Sequence, residues 1–261
     1  METFARFGYT AKGFVYAAIG ILALLAAFSV GGKTTGTTGA LETISTKPFG
    51  KILLGLIAIG LVGYVIWRLI QAISDPENKG SDAKGIFSRL GYAFSGVAYA
   101  GVALNAGLLA ISSSKGGSGG SDSKQDWTAM VLQQPFGRWL VGLGGALVIG
   151  IGLWRIYRAY KIKFRKKLDL NELNPTQEKW LVNISRFGIA ARGVVFMMIG
   201  FFVLQAAKSY DPEKVKGLDG ALLTLSQQPY GKVLLTLMAL GLIAYAIYLF
   251  LQARYRDIRI N

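Results

Sequence analysis

The sequence predicts an all-α, polytopic membrane protein: six transmembrane helices forming three parallel helical-hairpin repeats in a pseudo-threefold arrangement, with both termini cytoplasmic. Three observations lead there. Hydrophobic residues make up 52% of the 261 positions and the mean hydropathy is +0.41, which favours lipid as the solvent. Six long stretches carry no charge. One short motif returns three times, each time at the head of such a stretch.

The uncharged stretches cover residues 13–32, 52–67, 90–114, 139–154, 193–207 and 233–253. A hydrocarbon core of ~30 Å needs about 20 helical residues, so the shorter stretches must take in flanking charges. Lys12, Arg68, Arg155 and Arg192 are therefore assigned to helices, with head groups that snorkel to the interface. The first stretch has Arg6 near its start and Ala26 and Ala27 near its end, as a signal peptide would. Its counterparts in the third and fifth spans lie mid-chain and must be retained, so it is read as a permanent helix.

Orientation follows from charge. The N-terminus, the second and fourth connections and the C-terminus, with Arg254, Arg256 and Arg259, hold 19 of the 29 Lys and Arg. The fourth connection alone has Lys161, Lys163, Arg165, Lys166 and Lys167. The positive-inside rule puts these segments in the cytoplasm, as expected for a multi-pass membrane protein. The formal net charge of +15 is thus read as a topology signal and a lipid contact, and nucleic acid is not expected as a partner, since no reader motif is present.

The repeat is written in the residues. Arg6-Phe-Gly-Tyr-Thr-Ala-Lys-Gly13 returns as Arg89-Leu-Gly-Tyr-Ala-Phe-Ser-Gly96 and as Arg186-Phe-Gly-Ile-Ala-Ala-Arg-Gly193, opening the odd-numbered spans. Pro48-Phe-Gly-Lys51, Pro135-Phe-Gly-Arg138 and Pro229-Tyr-Gly-Lys232 open the even-numbered ones. The units are residues 1–77, 84–168 and 175–261. Each proline is expected in the first turn of its helix, and the connecting segments are expected to vary while the hairpins do not. Asn174-Pro175 reads as an N-cap with proline at the first helical position, leading into a short interfacial helix through Trp180. Residues 112–126, rich in Gly and Ser, suit a flexible outer loop.

This threefold set of motifs, with Trp67-Arg68-x-x-Gln71-Ala72 closing the first hairpin, resembles the bacterial membrane family called domain of unknown function 1206. The resemblance covers nearly the whole chain. It implies a bacterial membrane protein, expected in the inner (plasma) membrane, and supplies neither activity nor ligand. Ser95 departs from the pattern where a base is expected, and Leu249 where the other hairpins have Arg68 and Arg155, so the copies are not expected to be chemically equivalent.

Composition also excludes chemistry. There is no Cys and no His, which removes the commonest metal ligands, the usual general base near neutral pH and the thiolate nucleophile. No metal, cofactor or catalytic residue is expected. All 14 carboxylates lie in connections or tails, which disfavours proton- or sodium-coupled transport and acidic cation pathways. Outer-loop acids such as Asp122 and Asp126 sit in Gly/Ser-rich surroundings that offer little preorganisation, so the protein is read as non-catalytic.

Among candidate functional residues, Gly13, Gly96 and Gly193 are followed seven positions later by Gly20, Ala103 and Gly200, one helical face suited to close helix packing. Gly142, Gly144, Gly145, Gly150 and Gly152 are read in the same way. Lys12 and Arg192 lie six positions deeper than Arg6 and Arg186, about 9 Å of rise. They are either interfacial anchors or, with Ser95, Arg68 and Arg155, an anion-binding vestibule for a phosphate or lipid headgroup; Arg6, Arg89 and Arg186 complete the basic cluster. Tyr64, Trp67, Trp154, Tyr245 and Tyr248 are read as interfacial belt residues. Gln71, Gln252, Asn105 and Gln205 are candidates for interhelical hydrogen bonds. The leading expectation is recognition of anionic membrane lipid, a membrane-protein partner or a second copy of the chain; the alternative is an uncoupled channel or transporter for a small anion.

Overall fold

The structure, a computed structural model, describes residues 2–111, 122–165, 168–170 and 173–256. Lys166, Lys167, Arg259 and most of the 112–126 segment lie outside the described residues. The helices are α1 (Glu2–Ala27), α2 (Thr37–Ser45), α3 (Gly50–Ile73), α4 (Ala83–Ile111), α5 (Asp122–Leu132), α6 (Gly137–Tyr160), α7 (Pro175–Ser209), α8 (Leu218–Ser226) and α9 (Gly231–Tyr255). Six of them, α1, α3, α4, α6, α7 and α9, are long and apolar enough to cross a membrane. Large apolar side chains cover their outer faces, among them Ile59, Leu104, Leu143 and Leu237. That distribution is what a lipid solvent selects.

Three expectations are corrected. The first span ends at Ala27 and does not run on to residue 32. Asn174 does cap α7 with Pro175 at its start, but Trp180 belongs to the single continuous helix Pro175–Ser209 and not to a separate interfacial one. The repeated prolines stand outside the spanning helices. After each of them Phe49, Phe136 or Tyr230 takes a left-handed conformation (φ 60°, 63° and 63°) as the N-cap, and the helix begins at the following glycine.

That glycine is required by close approach. A Cβ on Gly50, Gly137 or Gly231 would fall 1.9, 1.9 or 2.1 Å from a carbonyl oxygen of Ile44, Val131 or Ser226, far inside contact distance. Each of those carbonyls ends a short outer helix, α2, α5 or α8. The connections within the hairpins are therefore less variable than expected: every hairpin carries a short helix that runs into the Pro-aromatic-Gly turn.

Consecutive packing seams join the spanning helices in the order α4, α3, α1, α9, α7, α6. Neighbours are antiparallel. Gly8 lies against Tyr64 while Gly60 lies against Ala11, and Gly13 meets Phe250 while Gly20 meets Ile243. All odd-numbered spans thus run one way, and the start of α1 and the end of α9 sit at the same end of the bundle. The seams between repeats, α3/α4, α6/α7 and α9/α1, are the closest; within repeats, α1/α3 and α7/α9 also close.

The described parts of α4 and α6 form no such seam, although they belong to one repeat, and the bundle is an open arc. Side chains explain why. In the first and third hairpins a small pair meets at the crossing, Ala11 with Gly60 and Ala191 with Gly241. The same register holds Phe94 and Leu147 in the second hairpin, 78% and 46% exposed. Gly8 and Gly188 seat the backbones of Tyr64 and Tyr245, whereas Gly91 and Gly150 face open space. In lipid, helix association rests on close packing, and two bulky residues at the crossing remove it.

Candidate anion-binding site

The repeat register brings four classes of residue into the concave side of the arc. The position before each motif-closing glycine holds Lys12, Ser95 and Arg192, and one turn later stand Tyr16, Tyr99 and Phe196. On the even-numbered spans the matching positions hold Tyr64, Ile151 and Tyr245 and, one turn on, Arg68, Arg155 and Leu249. Residues four apart share a helical face, so each span contributes a stacked pair.

Lys12 and Arg192 turn inward, only 4% and 6% exposed. Lys12 Nζ donates to Tyr64 Oη at 2.8 Å and stands over the rings of Tyr64 and Tyr99, 4.4 and 4.1 Å from their centroids. Arg68 Nε donates to the same Tyr64 Oη at 2.8 Å. The Arg192 guanidinium lies 4.5 Å from the ring centroids of both Tyr16 and Tyr245, and Arg155 lies 4.8 Å from that of Phe196. Tyr16 and Tyr99 hydroxyls meet at 3.3 Å, and Ser95 Oγ lies 3.4 Å from Tyr64 Oη. These contacts link α1, α3, α4, α7 and α9, and Arg155 adds α6.

The four cations have aromatic faces around them but no carboxylate. Lys12 is within electrostatic range of Arg68, Arg155 and Arg192, and among the described residues no ion pair involves any of the four. Arg192 Nε and Nη1 and Arg155 Nε are buried without a hydrogen-bond partner. A cation–π contact contributes about 0.5–2 kcal/mol, while an uncompensated buried charge costs several kcal/mol. The rings therefore offset only part of the cost.

The nearest acid is at the rim. Arg68 Nη1 donates to Gln71 Oε1 at 2.9 Å, and Gln71 Nε2 donates to Glu77 Oε1 at 2.8 Å. Glu77 also accepts from Tyr92 Oη at 3.0 Å and pairs with Arg256 just beyond α9, which itself donates to Tyr9 Oη. Burial works against the Arg256 charge, but Tyr9 and Glu77 outweigh it and raise its pKa. Glu77 thus fastens the ends of α3, α4 and α9 and leaves the inner cations uncompensated.

Residues 7–75, 90–161 and 187–256 match the family described as Domain of Unknown Function (DUF1206). The chain belongs to the DUF1206 family. It is 39% identical over 256 residues, 98% of its length and 91% of the relative's, to "Uncharacterized protein YxxB" of Bacillus subtilis (strain 168). No solved structure matches the chain. The three matched segments coincide with the three hairpins, so the DUF1206 unit is one pair of spans with its outer helix.

Within this DUF1206 chain the structure brings together Lys12, Arg68, Ser95, Arg155 and Arg192 and leaves out the arginines that open the motifs. Arg6 donates to the carbonyls of Ala253 and Arg254, and Arg89 to those of Ala72 and Ile73 at 2.8 and 2.9 Å. Each caps the C-terminus of the even-numbered span packed against its own helix, α9 for Arg6 and α3 for Arg89, where a cation satisfies free carbonyls and the helix dipole. Arg186 lies with Ala159 and Tyr160, at the matching end of α6, in a surface depression of about 390 Å³. A Cβ on Gly13, Gly20, Gly193 or Gly200 would come within 2.7–2.8 Å of the facing even-numbered helix, whereas Gly96 has room at 3.5 Å.

The aromatic reading needs correction. Tyr64, Trp67, Tyr245 and Tyr248 are buried in protein, at 0%, 3%, 4% and 3% exposure, and only Trp154, at 56%, faces outward as a belt residue would. Tyr16, Tyr99 and Phe196, which sequence reasoning passed over, complete the walls. Their signal was present as a threefold aromatic one turn after Gly13, Gly96 and Gly193. Of the amide candidates, Gln71 bridges Arg68 to Glu77, while Asn105 Oδ1 is buried without a partner and Gln205 is exposed.

Proposed function

We propose that this protein is a non-catalytic plasma-membrane protein that binds an anion between its repeats at Lys12, Arg68, Arg155 and Arg192. The unpartnered nitrogens of Arg192 and Arg155, buried beside two further cations with no carboxylate, carry this reading. An anion there completes their hydrogen bonds and turns mutual repulsion into attraction. The three hairpins take pseudo-threefold positions, supported by equivalent seams between successive repeats and by the shared register of Lys12, Ser95 and Arg192. The terminal face, nearer the cluster, is cytoplasmic by the positive-inside rule, and the anionic partner is a lipid headgroup or an acidic group of a membrane partner.

Binding is favoured over permeation by what lies above the cluster. Ile19, Leu54, Ile57, Leu61, Leu235 and Leu242 fill the outer half of the bundle and are nearly inaccessible, so no polar path continues outward along them. The test is thermal unfolding of purified protein titrated with inorganic phosphate and with phosphatidylglycerol. The wild type should gain stability, by about 2.7 kcal/mol at a hundredfold excess over Kd. Arg155→Met, which relieves the repulsion, should be no less stable without anion and should lose the response. A wild type indifferent to both anions refutes the reading.

A further inference from the structure

The unclosed second hairpin opens onto the cationic cluster, and we propose that the anion is an anionic phospholipid that reaches it sideways through the membrane, between α4 and α6. This rests on the anion-binding reading above and names its ligand class. Where the first and third repeats seal their inner faces with Tyr64 and Tyr245, 0% and 4% exposed, α6 has Ile151 at 37%. Two turns outward a buried apolar residue recurs, Ile57 in the first repeat and Met238 in the third, 1% and 7% exposed. Their counterpart on α6 is Gly144, whose missing Cβ would meet nothing within 4 Å.

The two walls are chemically graded. On α6, Ile151 lies four residues from Arg155, on the same face, and on α4, Ser95 lies four residues from Tyr99. An apolar slot between helices thus ends, toward the terminal face, in Arg155, Arg192, Lys12 and the hydroxyls of Ser95 and Tyr99. Acyl chains fit the first part and a phosphate diester the second. A soluble anion needs no apolar slot, and a neutral lipid gains nothing from three unpartnered guanidinium nitrogens. Phe94 and Leu147 occupy the register at which small residues close the other hairpins.

The experiment is native mass spectrometry of the full-length protein with dioleoyl-phosphatidylglycerol, dioleoyl-phosphatidylcholine and, in parallel, inorganic phosphate monitored by thermal unfolding. Phosphatidylglycerol should bind at least tenfold more tightly than phosphatidylcholine. Phe94→Ala/Leu147→Gly, which restores the small pair, should reduce phosphatidylglycerol binding at least tenfold and leave the phosphate response intact. Ile151→Trp, which fills the slot without altering the crossing, should do the same and guards against misfolding of the double variant. Arg155→Gln should lose both ligands. Equal retention of the two lipids, or unchanged phosphatidylglycerol binding in both slot variants, overturns the lateral route while phosphate binding keeps the anion site. Loss of response to every anion in the wild type removes both.

Discussion

Tyr64 Oη accepts from Lys12 Nζ and Arg68 Nε, both at 2.8 Å, so a single phenol oxygen holds two buried cations on different helices. A hydrogen bond to a charged group contributes about 1.5–3 kcal/mol, and an unsatisfied buried donor costs the same order. Tyr64→Phe keeps the ring and removes only that oxygen. It should destabilise the protein by about 1.5–3 kcal/mol in detergent-based unfolding, whereas Trp154→Phe on the exposed face should stay within about 0.5 kcal/mol. At this scale the sequence was half legible. The depth of Lys12 and Arg192 and the odd Ser95 could be read from the repeat. The partners of those cations could not, because belt and interior positions of a tyrosine near a helix end have the same hydropathy and differ only in rotation about the helix axis.

Between residue and bundle, helix crossings turn on single small residues. An added Cβ at Gly241 would fall 2.2 Å from Ala191 Cβ, while at Gly55 nothing lies within 4 Å. Gly241→Leu, which copies the second repeat's Leu147 into the third, should destabilise by about 1–3 kcal/mol through overpacking. It should also raise hydrogen exchange along α7 and α9. Gly55→Leu should be neutral or stabilising, since a helix-interior glycine costs about 0.5–1 kcal/mol relative to Ala. Unfolding and exchange of the two variants side by side check this. The six spans were legible because lipid imposes length and hydropathy. The short helices α2, α5 and α8 were not, because nine to eleven residues give too few turns for a clear period and their fixed point, the left-handed aromatic before Gly50, Gly137 and Gly231, looks like an ordinary Pro-turn signal. The parted second hairpin was likewise written in Phe94 and Leu147, but only the packed neighbours reveal that the matching Ala11–Gly60 pair is a crossing.

For the whole molecule, the placement of charge and the packing of helices make one connected prediction. Antiparallel neighbours put the start of α1, the end of α9 and the described parts of the second and fourth connections at one end of the bundle, and the sequence segments of that side carry most of the 29 basic residues. Each Lys or Arg near an anionic leaflet contributes about 1 kcal/mol, so an excess of this size favours placing that end against the anionic cytoplasmic leaflet, which labelling tests. The chain has no cysteine, which makes single-cysteine labelling free of background. In intact cells a membrane-impermeant maleimide should label Lys33→Cys and Lys216→Cys, in the first and third outer connections, and should reach Lys161→Cys only after permeabilisation. The opposite pattern would move the cationic cluster to the outer leaflet and change which lipids it meets. A mixed pattern would be incompatible with three hairpins dipping from one face, since the antiparallel seams α1/α9 and α7/α9 make α1 and α7 run the same way.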